Sequence, residues 1–395
     1  MKSGWQSKNL AEVLLKTETV NPLLKPEVEF EYIDVSSVSN KTFQIEETQK
    51  LKGKDAPGRA RKLVKTNDIL FATIRPTLQR IAIVQEELNN QVCSTGYFVL
   101  RPSQNIHFKY LYFYLFSDYF MGQMEVLQKG ASYPAVTDNE VKSQIINFPP
   151  LKEQQRIVVI LDEAFEQIAI ARANTEKNLQ NARALFESHL HNVFTQRGEG
   201  WEVKALSDVL QKTETVDPSK KPNIEFIYLD VSSVNKDTKE IEDVTVLLGK
   251  NAPSRARKQI RTNDVIFATV RPTHSRVALI PPEYNEQVCS TGYFVLRAKE
   301  FINNKLVLYF LLTPSFNKQM EKLQKGASYP AVTDNEVKGV MINFPKSLDD
   351  QKAIVAKFDS LREETKHLES LYQHKLTALD ELKKSLLHKA FAGEL

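Results

Sequence analysis

The chain has 395 residues, 42% hydrophobic, 26% charged and 9% aromatic, a composition that excludes a disordered or fibrous protein and leaves room for two or three domains. Lys plus Arg (53) nearly balance Asp plus Glu (49), a net charge of +4, so any basic surface must come from local clustering. Apolar runs such as Tyr110 to Phe116 fall far short of the roughly 18–20 residues that span a bilayer, the first ten residues lack the apolar core of a secretory signal, and two cysteines are no disulfide framework. The expectation is a cytoplasmic protein without membrane contact.

The sequence is one unit written twice at an offset of 196 residues. Gln91 to Arg101 (QVCSTGYFVLR) returns unchanged as Gln287 to Arg297, and Leu127 to Lys142 (LQKGASYPAVTDNEVK) as Leu323 to Lys338. Lys54 to Thr77 reappears as Lys250 to Thr273 with mostly like-for-like changes, and Trp5 maps onto Trp201. A unit of this size can hold its own core, so the chain should comprise two copies of a composite module.

Within the first copy, β-branched and aromatic runs punctuated by Asn, Pro and Gly predict strands over Phe30 to Val35, Asp68 to Ile74, Ile81 to Val84 and Tyr97 to Leu100, followed by a helical stretch over His107 to Leu127. This is a mixed α/β globule. After Pro149 and Pro150 the chain loses prolines and glycines for over forty residues, and Val158, Leu161, Phe165, Ile168, Thr175, Leu179, Ala182, Phe186 and Val193 fall on a 3,4 spacing that predicts a long helix. In the second copy, Ile354, Phe358, Leu361, Thr365, Leu368, Tyr372, Leu379, Leu382 and Leu386 do the same. The predicted boundaries are a globule over 1–150, a helix over 151–197, a globule over 198–346 and a helix over 347–395.

A lone amphipathic helix usually lies on its own domain. A helix of about 40 residues rises roughly 60 Å, longer than a 150-residue globule is wide, so its apolar seam needs another partner. The helix of the other copy is at hand. An antiparallel coiled coil, with Val158, Leu161, Phe165, Ile168, Leu179 and Phe186 facing Ile354, Phe358, Leu361, Leu368, Leu379 and Leu382, follows, and gives an α+β chain of two globules separated by two long helices with a pseudo-two-fold internal repeat. Charged substitutions at Leu161 and Leu361 are predicted to disrupt it.

Reactive chemistry is scarce. Gly53 to Gly58 has phosphate-loop spacing, but Arg59 and Ala60 stand where Lys and Ser or Thr are needed, and the second copy has Ser254 for the second Gly. The seven histidines form no HExxH pair, Cys93 and Cys289 sit alone in strand-like segments as buried apolar residues would, and no metal site is implied. There is no GxGxxG turn, and neither Pro149-Pro150 nor Pro281-Pro282 has the neighbours of an amino-methyltransferase pocket. Asp138, Glu140 and Lys142 could be taken for a nuclease triad, but Pro134 and the TDNE run read as a turn capping a helix.

Positive charge does concentrate. Lys50, Lys52, Lys54, Arg59, Arg61, Lys62, Lys65, Arg75 and Arg80, and in the second copy Lys250, Arg255, Arg257, Lys258, Arg261, Arg271 and Arg276, form a basic segment interleaved with turn and strand residues. Such a run suits a loop and strand edge held against phosphates, and its recurrence in both copies weighs against a merely solvated face. Arg75, Thr77 and Arg80, with Arg271, Thr273 and Arg276, could supply donors to guanine edges or phosphates. Tyr133 and Tyr329, with Lys129 and Lys325 beside them, sit on a predicted surface turn; packing is their alternative role.

At these residues the sequence resembles the specificity subunits of type I restriction-modification systems. Asn147 to Val158 (NFPPLKEQQRIV) is similar to that family's PPLxEQxxIV entry into its first long helix, Gly130 to Asp138 to its upstream turn, and Asn67 to Phe71 to its DILF strand; the likeness covers the whole chain. The second helix entry, Pro345 to Val355, departs at the second proline and the Glu. The resemblance implies a non-catalytic reader of double-stranded DNA with two target-recognition domains, one per half of a split site, and helices that dock two adenine-methylating subunits. It also implies ATP-driven restriction subunits in the complex, and S-adenosylmethionine, ATP and Mg²⁺ belong to those partners, leaving no cofactor here. Because the two copies are near duplicates, the half-sites are expected to be inverted copies of one another, centred less than about 18 base pairs apart on a rod of that length. Leu78-Gln79 against His274-Ser275 is the expected break in symmetry. A coiled-coil scaffold that binds only proteins is the competing reading, separable by the salt dependence of duplex binding.

Overall fold

The computed structural model describes residues 4–196 and 198–395. They form two compact units: one runs to Thr175 and takes in His374–Leu395, the other is Glu176–Gln373. Each long helix therefore gives one half to each unit.

In the first unit the alternation of Ile69–Ala72 explains the architecture. All four residues are buried, so both faces of this strand are covered. It lies in a four-stranded sheet, in the order Leu14–Leu15, Tyr97–Pro102, Ile69–Ala72, Ile81–Ile83. A second sheet has the order Gln49–Lys52, Glu29–Ile33, Val92–Ser94, Ala60–Leu63, with Glu29–Ile33 parallel to Val92–Ser94. Leu70, Ala72, Tyr97 and Val99 meet Ile33 and Cys93 of the second sheet, and Val64 just past its last strand, in one core. Ile69, Phe71, Ile81, Phe98 and Leu100 face the other way, onto helices Phe108–Tyr114 and Asp118–Leu127 and onto Ile157, Val158 and Leu161 of the long helix. The predicted helical stretch breaks at Ser117, whose hydroxyl accepts the Phe120 N–H and starts the second helix. Gln6–Asn9 pairs antiparallel with Ile145–Phe148 and closes the domain just before Pro149.

The second unit repeats this plan. Thr245–Leu248, Glu225–Leu229, Val288–Ser290 and Ala256–Gln259 form one sheet, Val277–Leu279, Val265–Ala268 and Tyr293–Leu296 the other, and Trp201–Ala205 pairs with Met341–Pro345. In both units a buried ion pair fixes the start of the central strand. Asp68 accepts two bonds of 2.8 Å from Arg101 and one from the Lys65 N–H, and Asp264 does the same with Arg297 and Arg261. Removing one partner of such a pair costs about 3–5 kcal/mol. Arg101 also binds Glu18, whose carboxyl it holds down at about 2 with help from Lys65.

The long helices are Leu151–Thr195 and Leu348–Ala392. Each is anchored by a fully buried glutamine. Gln154 donates to the Asn105 and Pro149 carbonyls and accepts the His107 N–H; Gln351 donates to Phe301 and Pro345 and accepts from Asn303. The second entry, despite its altered motif, thus makes the same joint with one extra residue before it, so helix positions correspond at an offset of 197 rather than 196.

The helices run antiparallel in each unit: Arg172 pairs with Asp380 in the first, and Arg183 with Glu369 at 2.7 Å in the second. Val158, Leu161 and Phe358 are buried, and Phe165, Ile168, Leu179, Phe186, Ile354, Leu361 and Leu379 are half-buried, as a seam requires. Leu368 and Leu382 correct the expectation, being 36% and 47% exposed. Leu376 and Leu387 are buried instead, and the stripe between them passes through Lys383, one residue and hence about 100° from Leu382. Lys383 fits there because its aliphatic stem covers the seam while its ammonium lies 4.8 Å from the Phe43 ring, 5.1 Å from Phe165 and 5.8 Å from Phe116. Among the described residues no helix is long and apolar enough to cross a membrane.

Candidate nucleic-acid interface

One end of each sandwich is built from loops that the two copies share almost residue for residue. In the first unit the turn Pro76–Leu78 is bracketed by Arg75 (φ 50°) and Gln79 (φ 54°), both left-handed although neither is glycine. In the second, Arg271 (φ 49°) and Ser275 (φ 47°) bracket Pro272–His274. Such conformations cost of order 1–3 kcal/mol each and persist where the surroundings impose them. At the arginine the surrounding structure is the Lys129 to Ala135 loop. It closes on itself through a Lys129–Ala135 bridge, with Gly130 at φ 107°, and its Pro134 carbonyl accepts the Arg75 N–H at 2.6 Å. The Arg75 guanidinium then lies 5.0 Å from the Tyr133 ring and donates to the Ser132 carbonyl; Arg271 and Tyr329 stand 5.3 Å apart. Both tyrosines are 72% exposed. The result is an exposed guanidinium stacked on an exposed ring, preset by backbone strain.

Neighbouring backbone ties bring more of the basic segment to this end. Thr73 donates to the Gly96 carbonyl, Val136 N–H to Thr73, and Thr95 N–H to the Arg59 carbonyl. Arg59 and Arg255 are exposed and enter no ion pair among the described residues. Thr77 is exposed and Thr273 half-buried beside them. Thr95 and Thr291, exposed residues of an otherwise buried turn, belong to the same end; sequence reading passed over them, although they lie in the block repeated without change.

Many other cations of the predicted set make bonds of their own. Lys62 donates to the Tyr97 carbonyl and, at 2.9 Å, to Asp138; Lys258 does so with Tyr293 and Asp334. Arg80 reaches the Val35, Ser36 and Val38 carbonyls, and Arg276 those of Ser232 and Val234, so both clamp a loop. Lys65 pairs with Glu18, Arg261 with Glu214, and Arg257 with Asp217, while Arg61 donates to the Ala60 carbonyl. Lys54 is exposed and 3.7 Å from Glu27, and Lys250 is exposed. Lys129 and Lys325 pair with Glu140 and Glu336 yet keep more than four-fifths of their side chains exposed, beside the tip tyrosines.

The rejected chemistry has structural explanations. Gly53 is glycine because a Cβ there would lie 2.2 Å from the Lys25 carbonyl oxygen, so its place is in loop packing. Thr137 and Glu140 form a reciprocal cap, with Glu140 accepting the Thr137 N–H at 2.8 Å, which with Lys129 holds its carboxyl down at about 2. Asp138 is taken by Lys62. Cys93 and Cys289 are buried, and burial pushes both thiols up to about 12. Among the described residues no group of three or more His, Cys, Asp or Glu is placed to hold a metal ion.

The profile of the family described as the type I restriction modification DNA specificity domain matches residues 2–181 and again 198–377. The chain is 24% identical over 315 residues to the type I restriction enzyme HindI specificity subunit of Haemophilus influenzae, covering 70% of this chain and 67% of that protein. It is 21% identical over 348 residues to a putative type I restriction enzyme MjaX specificity subunit of Methanocaldococcus jannaschii, covering 83% and 78%. Among solved structures it matches, at TM-score 0.87 and 27% identity over 100% of this chain and 99% of the other, a chain from work on complex assembly and conformational transition of the type I restriction-modification system. It also matches the HsdS subunit of Thermoanaerobacter tengcongensis, at TM-score 0.67 and 27% identity over 100% and 98%. The family model matches both repeats, which together make up most of the chain: it belongs to the type I restriction-modification specificity family.

Proposed function

We propose that the chain is the non-catalytic address-reading subunit of a type I complex, and that each unit reads one half of a split duplex site with the tip made by Arg75, Thr77, Thr95 and Tyr133, or by Arg271, Thr273, Thr291 and Tyr329. The observation that carries this is the stacked Arg–Tyr pair, held in the same strained geometry in both units. A guanidinium preset by a ring and a carbonyl loses little freedom on contacting a base edge or phosphate. Arg59, Arg255, Lys54, Lys250, Lys129 and Lys325 supply phosphate contacts around it, whereas Lys62, Lys258, Arg80 and Arg276 act by building the tip. Near-identical tips read near-identical half-sites, and the antiparallel helix pairing within each unit favours their inverted order.

The helices supply docking faces for two adenine-methylating subunits, to which restriction subunits attach. Val159, Ile170, Leu185, Leu368, Leu371 and Leu382 are large apolar side chains left 36–64% exposed on them, a surface suited to partner helices. S-adenosylmethionine, ATP and Mg²⁺ enter with those partners, and the cytoplasm is the place of work.

The test is duplex binding by the full complex at several salt concentrations. Arg75→Ala with Arg271→Ala should weaken specific binding about 10- to 100-fold per half-site while leaving methyltransferase assembly intact. Affinity that ignores both substitutions and salt would favour a protein-binding scaffold instead.

A further inference from the structure

The two helix ion pairs have a polarity that the internal repeat does not require. Arg172 of the first long helix corresponds, at the offset of 197, to Glu369 of the second, and Arg183 corresponds to Asp380. Both arginines therefore lie on the first helix and both acids on the second, although the pairs Arg172–Asp380 and Arg183–Glu369 occupy equivalent places in the two units. A third position is also asymmetric, with its charge on the other helix: Phe165 of the first helix meets Lys383 of the second, and the corresponding residues are Phe186 on the first and Arg362 on the second, so here both cations belong to the second helix.

We propose that this segregation is a pairing code: it admits the first helix against the second and bars either helix from its own kind on another copy of the chain. In an antiparallel pair of two first helices, Arg172 would face Arg183 twice. In a pair of two second helices, Glu369 would face Asp380 twice and Arg362 would come to Lys383. The remaining apolar seam offers little discrimination, since Val158, Leu161, Leu179 and Leu190 of the first helix correspond to Val355, Phe358, Leu376 and Leu387 of the second. A duplicated sequence is exposed to this error during synthesis and refolding, because each repeat carries a helix that could stand in for the other. The inference concerns assembly only and is independent of DNA reading.

Two full-length variants separate the code from the ion pairs themselves. Arg172→Glu with Asp380→Arg keeps both intrachain pairs but puts one charge of each sign on each helix, so like helices become compatible. Reversing all four positions (R172E, R183E, E369R, D380R) also keeps both pairs and restores the segregation with opposite sign. Each protein is refolded from denaturant at tens of micromolar, with the dimer fraction read by light scattering after size exclusion. The first variant should give roughly tenfold more dimer than the natural chain, and the fully reversed one no more than the natural chain. Equal dimer fractions in all three, or as much dimer in the fully reversed chain as in the first variant, would overturn the proposal. Melting guards against a folding failure: Arg172→Glu with Arg183→Glu should lower the transition by about 2–4 °C, and adding the two arginines on the second helix should recover it. No recovery would equally count against the code.

Discussion

Where each sandwich meets the long helices, the two units solve one packing problem with different residues. In the first, Phe43, Phe116 and Phe165 surround the single cation Lys383. The corresponding positions of the second are Lys239, Leu312, Arg362 and Phe186. There the rings of Phe43, Phe116 and Phe165 give way to a polar net: Lys366 pairs with Glu240 at 2.7 Å, Arg362 donates to the Thr238 carbonyl, Lys239 donates to the Ser275 carbonyl, and Tyr309 donates to Asp359, whose pair with Lys305 the first unit shares as Lys109–Asp162. The backbone hardly registers the exchange, Phe43 and Lys239 being left-handed at φ 57° and 60°. At the tips, by contrast, side chains and backbone are both retained. Buried charge is therefore free to move among positions of this joint provided its partners move with it, while the tips differ at few positions, Leu78-Gln79 and Gly58 among them.

The sharpest way to break that comparison is to remove a ring at the joint. Phe358 packs 4.9 Å from Tyr309, 5.9 Å from Phe194 and 5.8 Å from His189, centroid to centroid; its counterpart in the first unit is Leu161, also buried. Phe358→Ala should cost the second unit about 3–5 kcal/mol, and Leu161→Ala should leave a smaller hole and cost the first unit less. Urea unfolding of the full chain measures both, and a larger loss for Leu161→Ala would show that the aromatic cluster contributes no more than its volume.

The tips offer a smaller effect. Leu78-Gln79 of the first corresponds in the repeat to His274-Ser275 of the second, where Asn317, in the place of Met121, donates to the Ser275 hydroxyl at 2.9 Å. Under the DNA-reading proposal this is the position at which the half-sites differ. His274→Leu with Ser275→Gln should make them match, shifting discrimination at one base pair by about 1–3 kcal/mol. The sequence contexts of methylated adenines in cells carrying the variant report the outcome; contexts identical to those of the natural chain would remove these residues from base reading.

Much of this was legible beforehand because duplication doubles every signal. The strands at 69–72 and 97–102 announced themselves by β-branched and aromatic runs covered on both faces, and the long helices by their 3,4 spacing. The strands Gln49–Lys52 and Ala60–Leu63 were missed because they are short and rich in Lys and Arg, their pairing being supplied by neighbours distant in sequence. Lys62 and Arg80 were read from their charge, which is visible in a sequence, whereas their bonds to the carbonyls of Tyr97 and Val38 are not. Leu382 was misplaced for a related reason: a seam drawn through apolar letters cannot foresee that a lysine takes the inward position when three rings wait for its ammonium.

Lys239 gives the smallest predicted effect and the one most specific to the second unit. Burial pushes its pKa down to about 8, an effect that Arg362 and Arg276 reinforce and Asp237 and Glu187 oppose. In the unfolded chain the same lysine keeps its proton to the ordinary 10.5. Between those values the unfolded state binds more protons than the folded one, so stability must rise with pH across the window; the penalty for burying the ammonium is complete below about 8 and relieved toward 10.5. The second unit should therefore gain stability between pH 8 and 10, and Lys239→Met should abolish the gain without touching the first unit. Unfolding curves at half-unit pH steps test this. A rise that survives Lys239→Met would place the titration on another group, and a fall would mean that the carbonyls of Ser275 and Lys236 hold the ammonium more firmly than burial opposes it.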